Sequence, residues 1–122
     1  MTTFSHRLRV YWEDTDAGGV VFYANYLKYF ERARTEWLRS LGFSQHALLQ
    51  ETGALFVVSN TAVAYRAPAR LDDQLDVSVL LQRLGSASIT VAQRATRQDA
   101  SRTTLVAEGN VKVGCVDAGT FR

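Results

Sequence analysis

The sequence predicts an α+β fold in which an antiparallel five-stranded sheet wraps around one long helix. Three observations carry this. Apolar residues recur at helical spacing between Ala24 and Leu41, the segments before and after alternate with the period of strands, and several breaks between the later strands are short enough for hairpins. At 122 residues the chain has length for one domain, 1–122, and too little for two cores.

From His6 to Trp12, Leu8, Val10 and Trp12 fall on one side and Arg7, Arg9 and Tyr11 on the other, the pattern of a half-buried strand. Glu13-Asp14-Thr15-Asp16-Ala17-Gly18-Gly19 breaks that alternation with acidic residues and a Gly pair, so it forms a loop. In the helix, Tyr26, Tyr29/Phe30, Ala33, Trp37 and Leu41 share one face, Lys28, Arg32 and Arg39 lie opposite, and Arg32 is spaced to pair with Glu36. Gly42 is positioned to stop the helix in a left-handed cap, and Ser44 to start a shorter helix, Gln45 to Glu51, ending at Gly53. Strands follow at Leu55 to Arg66, Gln74 to Leu84, Ser88 to Arg97 and Thr103 to Val116. The breaks between them are Ala67-Pro68-Ala69-Arg70-Leu71-Asp72-Asp73, Gly85-Ser86-Ala87 and Gln98 to Arg102. One sheet and one helix leave an edge or a face open, which predicts self-association.

Composition narrows the function. Hydrophobic residues make up 47% of the chain and charged residues 21%, as in packed proteins. A net charge of +2 is too small a basic excess to neutralise phosphates, so nucleic acid is not an expected partner. Cys115 is the single cysteine, which permits no intramolecular disulfide, and with His6 and His46 far apart no zinc site forms from Cys and His alone. The expectation is a reducing cytoplasm, with no metal and no cofactor. The N-terminus lacks an apolar signal core, and no stretch approaches the roughly 20 apolar residues of a membrane span, which predicts a soluble, unexported protein.

The acidic loop is the informative segment. Asp14 and Asp16 precede a Gly-Gly turn and the apolar Val20-Val21-Phe22 that leads into the long helix. A carboxylate here lies near a helix N-terminus, whose unpaired N–H groups polarise a carbonyl or hold an oxyanion. It can then attack that carbonyl or deprotonate a water that does, which is acyl-transfer chemistry. The same residues suit a plain turn cap, and on the residues alone both readings stay open.

Asp14-Thr15-Asp16-Ala17-Gly18-Gly19-Val20-Val21-Phe22-Tyr23-Ala24-Asn25-Tyr26 closely resembles the signature of hotdog-fold acyl-CoA thioesterases. The match is to the 4-hydroxybenzoyl-CoA thioesterase family, particularly its Tol-Pal-associated bacterial branch. It continues through Phe30-Glu31-Arg32-Ala33-Arg34-Thr35-Glu36, the loop Ala67 to Asp73 and Val113-Gly114-Cys115-Val116-Asp117, nearly the whole chain. The resemblance implies a hotdog fold, a homodimer or dimer of dimers with sites between protomers, and an acyl-CoA substrate, acyl-carrier protein being the other candidate carrier. It implies Asp16 as the catalytic carboxylate, nucleophile or general base, and a Tyr23 backbone N–H aimed at the thioester carbonyl. Two departures stand out. Tyr23 occupies a position where Tol-Pal-type relatives commonly carry His; a Tyr there matches the 4-hydroxybenzoyl-CoA enzymes and excludes an imidazole role. The turn Arg83-Leu84-Gly85-Ser86-Ala87-Ser88 has one Arg where the 4-hydroxybenzoyl-CoA enzymes have consecutive basic residues. Arg83 and Ser86 are candidates to contact the nucleotide or pyrophosphate, because a Gly-containing turn exposes N–H donors and Arg pairs bidentately with phosphate; an ordinary hairpin turn is the alternative.

Other residues carry less. Cys115 reads as a small core residue, Trp12 and Trp37 as core aromatics, His6 as a surface residue and His46 as part of the polar side of the short helix. Glu31, Arg34 and Glu36 read as a solvated or salt-bridged flank, with lining of an acyl site as the alternative. A hydratase or dehydratase needs a His beside its carboxylate, and none lies near this loop. A non-catalytic module that binds acyl groups or acyl-carrier protein, or an envelope-associated adaptor, differs from a hydrolase by its lack of turnover.

Overall fold

The computed structural model describes residues 3–122, which form β1 (Phe4–Arg9), a 3-10 turn (Trp12–Asp14), α1 (Asn25–Ser40), α2 (Gln45–Thr52), β2 (Ala54–Tyr65), β3 (Gln74–Leu84), β4 (Ser88–Asp99) and β5 (Arg102–Asp117). All five strands pair antiparallel in one sheet of order β1-β3-β4-β5-β2. The hairpin turns make β3, β4 and β5 a meander, while β1 and β2 take the two edges. The chain therefore crosses the whole sheet between β1 and β2, and returns past β5 and β4 between β2 and β3.

The aromatic periodicity of α1 positions it over the sheet. Tyr26, Tyr29, Phe30 and Ala33 are buried against Leu75, Val77 and Val79 of β3 and Val91 and Ala95 of β4. Burying a ring the size of Phe30 contributes about 2–3 kcal/mol, so Phe30→Ala is the single change that most directly undoes this layer. The helix stops as the sequence predicts. Gly42 takes a φ of +92°, its N–H donates to Arg39 O at 2.9 Å, and Phe43 N–H reaches back to Leu38 O at 2.9 Å, a Schellman ending. Ser44 accepts from Ala47 N–H and opens α2.

The helix does not cover the sheet evenly. Its contacts concentrate on β1 and β3. The concave face of β2 and β5 is left partly bare, with Val58 at 49% exposure and Phe56, Ile89 and Trp37 half-buried.

Several side-chain expectations need correction. Trp12 is 82% exposed, because the chain curls into the 3-10 turn immediately after Val10 and leaves the strand period. Cys115 faces inward opposite Phe56 but is exposed, since α1 does not reach that end. His6 is half-buried in the inward row with Phe4 and Leu8. Leu41 is 56% exposed. Glu36 pairs with Arg39 instead of Arg32, whose guanidinium lies 5.8 Å from the centre of the Tyr29 ring.

Candidate functional site

The acidic loop is built as a small hairpin. Val10 is fully buried, and its N–H and C=O bond Asp73 O at 2.9 Å and Asp72 N at 3.0 Å in the β2–β3 loop. The following turn is closed by Asp14, whose N–H donates to Tyr11 O and whose Oδ2 accepts from Tyr11 N–H at 2.8 Å. The Asp14 carbonyl then accepts from Phe22 N–H at 3.0 Å and from Asn25 Nδ2 at 2.8 Å, joining both limbs of the hairpin to the helix start. Asp14 is thus buried and occupied with backbone.

Asp16, two residues on, is exposed at the tip. Its N–H donates to Val20 O at 3.0 Å, its carbonyl accepts from Gly19 N–H at 2.9 Å, and Gly19 takes the left-handed φ of +77° that this turn requires. Oδ1 accepts from Gly18 N–H at 2.8 Å, while Oδ2 has no partner among the described residues. A Cβ on Gly18 would lie 3.1 Å from Oδ1, so the small residue keeps the carboxylate uncrowded. Turn capping and an available carboxylate oxygen coexist in one side chain.

Beyond the tip, Val21 N–H donates to Ala69 O at 2.8 Å and Val20 bridges Arg70, pinning the hairpin to the β2–β3 loop. A helical turn begins ahead of α1, with Asn25 N–H on Phe22 O at 2.9 Å and Leu27 N–H on Ala24 O at 3.1 Å. No side chain caps it, and the N–H groups of Tyr23 and Ala24 have no acceptor among the described residues. Unpaired donors at the positive end of a helix are what a developing oxyanion needs. The Tyr23 ring is 62% exposed and meets Tyr65 edge-on at 6.0 Å; Tyr65 in turn lies 5.6 Å from Tyr26. Beneath, the buried Tyr29 hydroxyl faces Asp14 without closing a hydrogen bond, and burial together with that carboxylate raises its pKa well above the ordinary tyrosine range.

Arg83 and Ser86 lie elsewhere. Both are exposed, Arg83 beside a bulge near the end of β3 and Ser86 in the turn closed by Gly85 N–H on Ser88 O at 2.7 Å. The Asp16 hairpin packs near the opposite end of β3, where Gln74 follows the β2–β3 loop. At about 3.3 Å per residue the two groups are separated by about 30 Å within one chain. Beside that far end a cavity of about 250 Å³ opens between α1 and the bare side of the sheet, lined by Glu31, Arg34, Trp37, Phe56, Val58 and Ile89 among others. No cluster of His, Cys, Asp and Glu able to hold a metal occurs among the described residues, and no helix among them is long and apolar enough to cross a membrane.

The sequence profile of the thioesterase superfamily matches residues 18–111. The chain belongs to that superfamily. Over 119 residues it is 47% identical to acyl-CoA thioesterase YbgC from Haemophilus influenzae, covering 98% of this chain and 85% of the relative. Over 116 residues it is 47% identical to acyl-CoA thioester hydrolase YbgC from Escherichia coli O157:H7, covering 95% and 84%. A probable thioesterase from Bartonella henselae has a similar structure, with a TM-score of 0.88, 28% identity, and coverage of 97% of this chain and 94% of that one. The sheet wrapped on α1 is the superfamily's hotdog fold.

One buried polar residue of this thioesterase-superfamily chain escapes sequence reasoning. Gln93 is fully buried, donating Nε2 to Phe30 O at 3.0 Å and accepting from Arg34 Nη1 at 2.9 Å through Oε1. Its alternation with Val91 and Ala95 was the available signal. Arg34 is consequently half-buried against the sheet, not part of a solvated flank, and burial lowers its pKa.

Proposed function

We propose that this chain hydrolyses acyl-CoA thioesters to a free acid and CoA, with Asp16 as the reacting carboxylate. The observation that carries the reading is the free Asp16 Oδ2 at the tip of a hairpin whose other limb runs into the uncapped helix turn at Tyr23 and Ala24. The thioester carbonyl accepts from the Tyr23 N–H, aided by the helix dipole. As nucleophile, Asp16 attacks the carbonyl carbon, the C–S bond breaks to release thiolate, and water then cleaves the mixed anhydride. As base, Asp16 takes the proton of a water that attacks the same carbon, and the proton passes to the departing sulfur. The relatives named as acyl-CoA thioesterases support the substrate class, and the loop residues quoted above support the Tol-Pal-associated branch. A single free thiol suits a reducing cytoplasm. Acyl-carrier protein remains the second carrier to test.

The minimal unit is a homodimer, with a dimer of dimers as the larger form. β2 is a 12-residue edge strand beside a partly bare concave face, an arrangement that a second copy satisfies. Antiparallel pairing of two β2 edges about their midpoint brings the Tyr65 end of one copy to the Ala54 end of the other. Asp16 of one copy then approaches the Arg83 and Ser86 end of the other, which supplies the donors for the CoA phosphates. A hydrolysis screen over acyl-CoAs of graded length and aromatic ones, reading free thiol, tests the whole proposal. Release of CoA that vanishes in Asp16→Asn is expected; no release from any thioester makes the chain a binding module.

A further inference from the structure

We infer that Arg97, remote from the reacting atoms, is the positioning residue that holds the Asp16 hairpin in its working geometry. The inference rests on Asp16 being the reacting group. Arg97 sits near the end of β4 with its side chain only 18% exposed. Its Nε donates to Asp99 Oδ1 at 2.7 Å, and its Nη1 donates to Pro68 O at 2.6 Å and lies 3.4 Å from Asp73 Oδ2. Both carboxylates are themselves engaged. Asp99 Oδ2 accepts from Thr104 Oγ1 at 2.6 Å, and Asp73 Oδ2 accepts from Arg70 N–H at 2.8 Å.

The guanidinium therefore fixes the β2–β3 loop at both ends, at Pro68 and Asp73. Between those points are the two residues that grip the hairpin. Ala69, fully buried, accepts from Val21 N–H at 2.8 Å, and Arg70 bridges Val20, whose carbonyl receives the Asp16 N–H. The path from Arg97 to Asp16 runs through one loop and two short backbone contacts. A planar fork reaches these divergent acceptors at once, which a lysine ammonium does not match. The Arg7–Asp76 pair on the same sheet is bidentate, at 2.9 and 3.2 Å, makes no hydrogen bond to this loop among the described residues, and serves as the control.

The test uses the full chain as Arg97→Met, Arg97→Lys, Arg7→Met and Asp16→Asn, reading kcat, KM, the unfolding midpoint and hydrogen exchange of the Val21 amide. Misplacement of a reacting group by a fraction of an ångström lowers kcat by about tenfold or more. Arg97→Met is expected to lose about tenfold in kcat with KM changed less than about twofold, and its Val21 amide to exchange faster by a similar factor. Arg97→Lys should recover part of both losses, and Arg7→Met should alter neither. Arg97→Met that melts earlier but keeps wild-type kcat and Val21 protection overturns the inference. Should Arg97→Met fail to fold, Arg97→Lys decides by the same two readouts. Full turnover by Asp16→Asn instead overturns the active-site reading, while Val21 exchange still reports whether Arg97 holds the hairpin.

Discussion

The two ends of the sheet are finished to different degrees. At the Asp16 end the hairpin, the β2–β3 loop and the helix start are tied by Asp14, Val10, Val21 and Asn25 within one chain. At the other end Phe56, Val58, Cys115 and the Gly85–Ser88 turn border open hollows. In the proposed reaction the Asp16 end makes and breaks bonds, which tolerates little displacement, and its groups are fixed locally. Gripping a large substrate tolerates more and can be completed by a second copy.

Abolishing the charge at the finished end has the largest expected effect. Asp16→Asn keeps the shape and the Gly18 contact but removes the proposed attacking or basic group, and kcat should fall by about two to four orders of magnitude. Asp14→Asn, whose partners are backbone groups, should keep turnover within about tenfold of wild type while unfolding earlier. Steady-state kinetics beside thermal melts separates the two, and equal losses in both variants would erase the distinction between reacting and loop-holding carboxylates.

At the unfinished end, Val58→Glu puts a charge on the bare concave face and should weaken self-association by about 2 kcal/mol or more, seen by sedimentation as a shift to monomer with turnover lost in step. A fully active monomer would mean that each end works alone. Arg83→Ala should raise KM for acyl-CoA about tenfold, the worth of one charge-assisted hydrogen bond, with kcat little changed; an unaltered KM makes that turn an ordinary hairpin.

The smallest effect belongs to Tyr29. A folded-state pKa raised by burial and by Asp14 adds stability that is complete below the ordinary tyrosine value of 10.0 and declines as the pH climbs beyond it. Denaturant melts should show that alkaline decline flattened in Tyr29→Phe, with Tyr26 and Tyr65, both also raised by burial, supplying the remainder. An unchanged slope would remove Tyr29 from the account.

What the sequence reveals here is local chemistry. The bounds of α1 follow from aromatic spacing and the Gly42 cap, and β3 from the alternation of Leu75, Val77 and Val79 before Gly85. The Asp16 segment is legible as a loop for the same reason, since its glycines and acids all lie within a few residues, while its hairpin pairing of Thr15 with Val21 is not. Trp12 misleads because a side-chain bond from Asp14 to Tyr11 N–H curls the chain while the written period continues. Cys115 misleads differently: alternation reveals which way a residue faces, not whether a helix extends far enough to cover it. The β4–β5 turn is shorter than its sequence suggests because Ala100, with a φ of +49°, takes a conformation usually signalled by Gly or Asn. The distance between Asp16 and Arg83 is a property of strand order, which no local pattern contains.

Strand order also dictates when the molecule can assemble. β3, β4 and β5 find their neighbours across tight hairpins, whereas Phe4 must meet Val79 and Val63 must meet Gly109. Loops of that size close slowly, so the meander should acquire amide protection first and the edge strands dock onto it late. During synthesis β2 leaves the ribosome long before its partner exists. Gly109 makes that final docking possible, since a Cβ there would lie 2.1 Å from Ala62 O. Pairing with β5 covers one side of β2, and a transcript truncated before β5 should yield a product that aggregates.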